Sequence, residues 1–331
     1  MGRFERIEVL SEEAPPERVS TLFLRDDSRT IVARNESPDV PFEVSINPYR
    51  GCEHGCIYCY ARPYHEYLGF SAGLDFETRI LVKERAPELL QQELASPRWV
   101  PQVLGISGVT DPYQPIERKF ELTRRCLEVL AAYRNPVALI TKNALVTRDL
   151  DHLMELARHR AVGVALSITT LDGDLARRLE PRTSHPRDRL STLQKLTEKG
   201  IPCGVSVAPV IPGLTDHEIP RILEAASQHG ATWANWLLLR LPGAVEGLFQ
   251  DWLQQTYPDR ASKILNRLRS LRDGRLSDSR FGRRMRGKGV FADQIRELFK
   301  SACKRYGLAT TGPELSTAAF RRPGGDQLNI W

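Results

Sequence analysis

"RGCEHGCIYCYARP", residues 50–63, sets Cys52, Cys56 and Cys59 into eight positions, half of the six cysteines in a chain of 331 residues. Clustered thiols in a reducing compartment bind metal or do redox chemistry more often than they form structural disulfides. The opening residues, "MGRFERIEVLSEEAPPERVS" (1–20), lack the basic-then-apolar pattern of a signal peptide, and position six is Arg where a myristoylation site carries Ser or Thr. A cytoplasmic location is therefore expected. Cys126, Cys203 and Cys303 are scattered, as buried packing residues would be.

Around the motif, from residue 43 to 241, short β-branched runs alternate with helical patterns, which marks βαβ units and a parallel sheet. Six strands can be read: "EVSIN" (43–47), "VLGISGV" (103–109), "VALIT" (137–141), "VGVALSIT" (162–169), "CGVSVAPVI" (203–211) and "WANWLLLRL" (233–241). Most are near-continuous apolar runs, as strands covered on both faces require. Between them, Leu122, Cys126, Val129, Leu130 and Tyr133, and then Leu150, Leu153, Met154 and Ala157, recur at helical spacing. Pro87 suits a first helical turn, and Gly200 and Gly230 suit helix ends. Repeated right-handed crossovers wind into a barrel or part of one, and eight repeats are not visible, so a partial TIM-type barrel is expected.

Three divisions result. Residues 1–42 read as a polar extension, loose at "SEEAPPER" (11–18), with "SRTIVAR" (28–34) as an edge strand; residues 43–242 form the barrel. Residues 243–331 read as a basic, mainly helical appendage, with apolar stripes Ile264, Leu268, Leu271 and Phe291, Ile295, Leu298, Phe299, Ala302 either side of "RFGRRMRGKG" (280–289). No segment offers the roughly 18 uncharged apolar residues that a membrane span needs.

Three thiolates on a loop leaving the first strand can each reach a different corner of one cubane iron–sulfur cluster, which usually takes four. The motif supplies no fourth, and an iron without a protein ligand is an open position of the kind that serves chemistry rather than scaffolding. The alternative is a zinc site completed by His54 or His65, but zinc spacings pair Cys-x2-Cys with a second such pair, and the chain has none. Gly51 and Gly55 precede the first two cysteines, where a crowded loop has no room for side chains or needs positive φ.

At these residues the chain resembles the radical S-adenosylmethionine superfamily: "CEHGCIYCY" (52–60) is similar to its signature, with Tyr58 as the aromatic residue before the third cysteine. The resemblance implies a [4Fe–4S] cluster on Cys52, Cys56 and Cys59, with S-adenosylmethionine bound at the free iron. It implies one-electron cleavage of that cofactor to methionine and a 5′-deoxyadenosyl radical, an electron donor such as flavodoxin or ferredoxin, and a partial (β/α)6 barrel. The blocks "VTDPYQPIE" (109–117), "TKN" (141–143), "SITT" (167–170), "LEPRTSHPRDRL" (179–190) and "VSVAPVIPGLTD" (205–216) are similar to those of the branch that includes spore photoproduct lyase. Each falls at or just beyond the carboxyl end of an expected strand, where barrel enzymes keep their active sites.

On that basis Lys142 suits the carboxylate of S-adenosylmethionine. Thr110 and Ser167 offer hydroxyls to its amino-acid or ribose part, or cap the following turns. Arg189 binds the same carboxylate or braces Glu180. Asp111 aims its loop inward and reaches a ribose hydroxyl or a substrate amide, and Tyr113 is a candidate substrate contact or hydrogen-atom donor, although a tyrosine in such a place is more commonly buried packing. One departure stands out: where the lyase carries its hydrogen-donating cysteine, two residues before the position aligned with Thr110, this chain has Gly108.

Charge adds a second theme. Residues 258–305 hold fifteen Lys or Arg and five Asp or Glu, so the net +6 of the chain is concentrated there and the remainder carries −4. Such a surplus suits a phosphate-bearing partner. Trp233, Trp236, Trp252 and Trp331 could stack on bases, although tryptophans near strand and helix ends are more often core. Three functions are thus in play: a radical enzyme acting on a nucleic acid base, a radical enzyme acting on a protein or small molecule, and a non-catalytic metal-binding protein that binds nucleic acid.

Overall fold

Six parallel strands stand side by side in chain order: β1 (Val44–Ile46), β2 (Leu104–Ile106), β3 (Val137–Thr141), β4 (Val162–Ser167), β5 (Cys203–Val210) and β6 (Trp233–Leu238). One long helix fills each crossover: α1 (Ala86–Ala95), α2 (Leu122–Tyr133), α3 (Leu150–Arg158), α4 (Pro186–Glu198) and α5 (Ile219–Gln228). This is a partial (β/α)6 barrel, seen in a computed structural model that describes residues 20–323. Residues 11–18 and Trp331 lie outside the described residues. The β-branched runs form strands because both faces are covered: Val137, Val162, Val164 and Val205 are wholly buried. Val32–Arg34 adds an antiparallel edge beside β1. Strand β2 stops at Ile106, short of the expected 109, because Ser107 turns to φ 100° and ends the ladder.

Small residues line the inside of the sheet, and larger groups from elsewhere fill the space. Gly105, Ala138 and Gly163 stand in register, as do Ala165, Gly204 and Trp233. A Cβ on Gly105 would stand 2.6 Å from the Phe42 ring, one on Gly204 would enter the Trp233 ring, and one on Gly163 would lie 3.3 Å from Pro313. Phe42, Trp233 and Pro313 therefore plug the lumen near the strand starts. Trp233 and Trp236 are buried, consistent with packing, and Trp252 is half-buried.

A second, small sheet had no clear signal in the sequence. Leu22–Arg25 pairs parallel with Arg79–Val82, which pairs antiparallel with Tyr49–Arg50. It seats the start of the cysteine loop.

After β6 come α6 (Val245–Thr256), α7 (Pro258–Ser270) and α8 (Val290–Arg305). Phe249 and Leu253 of α6 and Ile264 and Leu268 of α7 share one apolar cluster with Cys56 and Tyr58, so these helices roof the cysteine loop. Ile295, Phe299 and Cys303 of α8 belong to the main barrel core, as do Cys126 and Cys203. Residues 309–322 cross the strand-start end as a strap: Ala309 bridges Trp233, the Ser316 amide donates to Arg160, the Arg321 amide donates to Tyr133, and Arg322 donates to the carbonyls of Ser96 and Trp99.

Candidate active site

The cysteine loop leaves the small sheet at Arg50 and passes over the carboxyl ends of the barrel strands. Its path depends on two glycines in the left-handed region, Gly51 (φ 81°) and Gly55 (φ 65°). Side chains there would also collide, with the Phe76 carbonyl at 2.9 Å in the first case and the Glu77 carboxylate in the second. Backbone groups of the loop are held from several directions. The Cys52 amide donates to Phe76, the Ile57 amide to Leu179, and the Glu53 amide to the Gln114 side chain at 2.9 Å.

Arg62, fully buried, ties the loop from within. It donates to the carbonyls of Cys56 (3.0 Å), Gly55 (3.2 Å), Ala72 (3.1 Å) and Gly73 (2.7 Å) and to Glu77 (2.9 Å). A guanidinium with five donors is the side chain that can gather so many acceptors.

Cys52 and Cys56 are buried and Cys59 nearly so. As free thiols Cys56 and Cys59 are poor acids: burial and then Glu180 push Cys56 up against the pull of Lys142, and burial and then Cys52 push Cys59 up to about 11. The charges of Cys52 and Cys59 act on Cys56, and that of Cys52 acts on Cys59. The histidines of the zinc alternative are committed elsewhere. His54 has Nδ1 3.5 Å from Asp111 and Nε2 3.2 Å from the Asn143 amide nitrogen, and His65 Nε2 lies 2.9 Å from the Arg79 carbonyl. Among the described residues no three His, Cys, Asp or Glu side chains gather as ligands of a single metal ion. Three soft thiols and no fourth protein ligand fit a [4Fe–4S] cluster better than a single zinc ion.

The other sequence-selected residues fall into two groups. Lys142 faces the loop: its amide donates to Asp111 at 2.7 Å, its carbonyl accepts from Ser184 at 3.2 Å, and its ammonium lies 6.0 Å from the Tyr58 ring centre. That ammonium has no hydrogen bond or ion pair among the described residues. Ser167 lies buried at the end of β4; its carbonyl accepts from Arg189 at 2.8 Å, leaving the hydroxyl without a partner among the described residues.

Elsewhere the side chains support neighbours. Tyr58 donates its hydroxyl to Glu180, which also accepts from Thr169 at 2.6 Å and pairs with Arg189. Burial opposes ionisation of Glu180, but Arg189 and then Lys142 outweigh it and hold the carboxyl near 2. All three guanidinium nitrogens of Arg189 are engaged, on Glu180, Thr183, Ser184 and Ser167, so it braces Glu180 and is not free for a cofactor carboxylate. Thr110 donates to the Tyr49 carbonyl at 3.4 Å.

Two more of the sequence-selected side chains are taken up by neighbours. Asp111 is held by four neighbours: one oxygen accepts from Thr141 (2.7 Å) and the Tyr113 amide (2.9 Å), the other from the Lys142 amide and His54. Tyr113 is wholly buried and donates to Asp149 at 3.0 Å inside the core, so it is neither a substrate contact nor placed to give a hydrogen atom. In both cases a polar side chain beside a loop was claimed by neighbours that only the fold brings near.

Sequence reasoning passed over Arg62, Tyr60 and Arg240. Tyr60 donates to the Gly108 carbonyl at 2.6 Å, and Arg240 stands 5.0 Å over its ring. The adjacency of Tyr60 to Cys59 was the available signal. Nothing local marks Arg240.

A barrel whose chemistry-bearing side chains gather at the carboxyl ends of the strands, with three cysteines on one glycine-bent loop, defines a metal-cluster enzyme class. The chain belongs to the radical SAM superfamily, whose family model matches residues 46–226. Among its relatives, an uncharacterized protein of Mycobacterium tuberculosis is 37% identical over 236 residues, 70% of this chain and 69% of the relative. An uncharacterized protein of Methanocaldococcus jannaschii is 29% identical over 222 residues, 67% of this chain and 79% of that one. The fold is similar to that of spore photoproduct lyase complexed with dinucleoside spore photoproduct, at a TM-score of 0.64 and 16% identity, covering 87% of this chain and 81% of the other. No helix among the described residues is long and apolar enough to cross a membrane.

Proposed function

We propose that this chain is a cytoplasmic radical enzyme in which Cys52, Cys56 and Cys59 hold a [4Fe–4S] cluster and Lys142 receives the carboxylate of S-adenosylmethionine, and that its substrate is a nucleic acid base. When bound and reduced by a carrier such as flavodoxin or ferredoxin, the cluster supplies the electron that cleaves S-adenosylmethionine to methionine and a 5′-deoxyadenosyl radical. The chain's own residues do the positioning. Gly51, Gly55 and Arg62 set the thiols, and Tyr58, Glu180 and Arg189 lock the far side of the loop to α4. Ser167 offers a hydroxyl at the same level of the barrel as Lys142.

The observation that carries this reading is the ammonium of Lys142 beside the cysteine loop, which makes no hydrogen bond or ion pair among the described residues although it lies near enough to Glu180 to favour its ionised form. A half-buried cation with its donors unused is poised for an anionic ligand. The charge surplus of residues 258–305 supports a nucleic acid substrate over a small molecule.

The test is anaerobic reconstitution followed by dithionite reduction with S-adenosylmethionine. The expected outcome is iron and sulfide near four each per chain and formation of 5′-deoxyadenosine. Lys142→Ala should keep the cluster absorbance and weaken cofactor binding about tenfold or more, as loss of a charge-assisted bond does. Stoichiometric zinc without sulfide would sink the proposal, and unchanged cofactor affinity in the variant would remove Lys142 from it.

A further inference from the structure

Beside the barrel mouth runs a ridge of aromatic rings and guanidinium groups that radical generation does not use. Large rings are rarely left exposed next to one another without a partner. Here Tyr60 is 39% exposed, Tyr64 54%, Tyr67 84% and Phe281 57%. Tyr60 directly follows Cys59, and Tyr64 and Tyr67 sit on the short helical turn Arg62–Leu68, with ring centres 6.5 Å apart. From the other side, Arg240, two residues past β6, lies 5.0 Å over Tyr60, and Arg284 lies 4.5 Å over Phe281.

The charges along the ridge are unbalanced. Asp39 accepts from Arg284 Nε at 2.5 Å and from the Gly282 amide at 2.7 Å, which anchors that end. Arg240 has no ion pair among the described residues; burial and then the nearby Arg284 lower its pKa, and the attraction of Tyr60, Tyr64 and Asp39, which is itself paired with Arg284, does not outweigh them. An anion between Arg240 and Arg284 would relieve the repulsion. The basic groups that follow Phe281 and flank it are occupied: Arg286 donates to the Trp236 carbonyl at 2.7 Å, and Arg283, Arg280 and Lys288 surround Asp273.

We propose that this ridge binds single-stranded nucleic acid, with bases stacked on Tyr64, Tyr67 and Phe281 and a phosphate between Arg240 and Arg284. Rings alternating with cations match a strand in which each nucleotide offers a flat base and one negative charge. A duplex hides its base faces, so it meets the arginines without using the tyrosines. The ridge leads to the lumen, since the Tyr60 hydroxyl is tied to the Gly108 carbonyl two residues past the end of β2. The proposal rests on the nucleic acid reading of the site, extends it to a surface and a strand form, and is tested by binding alone.

The experiment uses full-length, cluster-reconstituted protein and fluorescence anisotropy with a short labelled oligothymidylate, the matching oligouridylate and a duplex of equal length. Single strands should bind more tightly than duplex, and the two oligomers separate DNA from RNA preference. Tyr64→Ala/Tyr67→Ala should weaken single-strand binding about tenfold or more. Arg240→Gln should weaken it and make the dependence on salt shallower, by the removal of one phosphate contact. Formation of 5′-deoxyadenosine without substrate should be unchanged in the tyrosine variant, which separates failure here from failure of the radical chemistry. Equal oligomer affinity in wild type and the tyrosine variant overturns the proposal, as does tighter binding of duplex. Slower reduction of the variant by flavodoxin with oligomer binding intact would instead assign the ridge to a protein partner and equally overturn it.

Discussion

Gly108 stands at the mouth of the lumen, where the sequence resemblance leads one to expect a hydrogen-donating thiol. A Cβ there would lie 3.2 Å from Ser45 Oγ and 3.3 Å from Asn47 Nδ2, so a small side chain could be received with a slight shift of its neighbours. No other cysteine can take over: Cys126, Cys203 and Cys303 are buried in the core. A radical left on an opened thymine dimer would find no weak S–H bond to quench it. The protein is therefore expected not to convert spore photoproduct dinucleotide cleanly to two thymines, even when it forms 5′-deoxyadenosine well, and Gly108→Cys should raise the yield of thymine. Product analysis by chromatography checks this. Efficient repair by the unmodified chain would point to Tyr60, whose hydroxyl lies on the Gly108 carbonyl, rather than to the buried Tyr113.

At the scale of elements, the site is a junction of loops whose ends are joined by Asp111. This carboxylate, on the loop after β2, takes hydrogen bonds from both residues at the end of β3 and lies against His54 of the cysteine loop. Burial opposes its ionisation, but His54, Thr141 and the Lys142 amide prevail and depress its pKa from 3.8 to about 2. A folded-state pKa below the unfolded one contributes stability at pH above about 4, and this is lost as pH falls through the folded value. In the apoprotein, Asp111→Asn should be less stable than wild type by ~2 kcal/mol at neutral pH, because the amide presents donors to donors. The gap should close as pH falls from about 4 to about 2, where wild type loses the same charge. Chemical denaturation across that range tests the point; a constant gap would mean that the charge of Asp111 does not stabilise the junction.

Across the whole molecule, function and stability sit at opposite ends of the barrel. The cysteine loop, Lys142, Ser167 and the aromatic ridge gather where the strands end. Phe42, Trp233 and the 309–322 strap close the end where they start, laid over small residues such as Gly163 and Gly204. Gly163→Val would drive a branched side chain into Pro313, which stands 3.3 Å from the Cβ position. Overpacking of this kind costs on the order of 1–3 kcal/mol. The variant should lose that stability and show faster hydrogen exchange at residues 309–322, while its affinity for S-adenosylmethionine stays at the wild-type value. A loss of cofactor affinity as large as the loss of stability would mean that the two ends are coupled.

The local sequence determined the features that depend on near neighbours along the chain. The alternation of apolar runs with helical stripes carried the six parallel strands in order, the Cys-x3-Cys-x2-Cys spacing with its glycines carried the metal-binding loop, and the position of Lys142 after β3 put a cation at the site. What the sequence left open depended on partners distant along the chain. Glu180 is 122 residues from Tyr58, and Arg240 stands over Tyr60 from the far edge of the sheet. Hydrogen-bond donors and acceptors are claimed by whatever the fold brings within about 3 Å. Only the tertiary structure could therefore show that Asp111, Tyr113 and Arg189 are held by neighbours, while the side chains of Lys142 and Arg240 make no hydrogen bond or ion pair among the described residues.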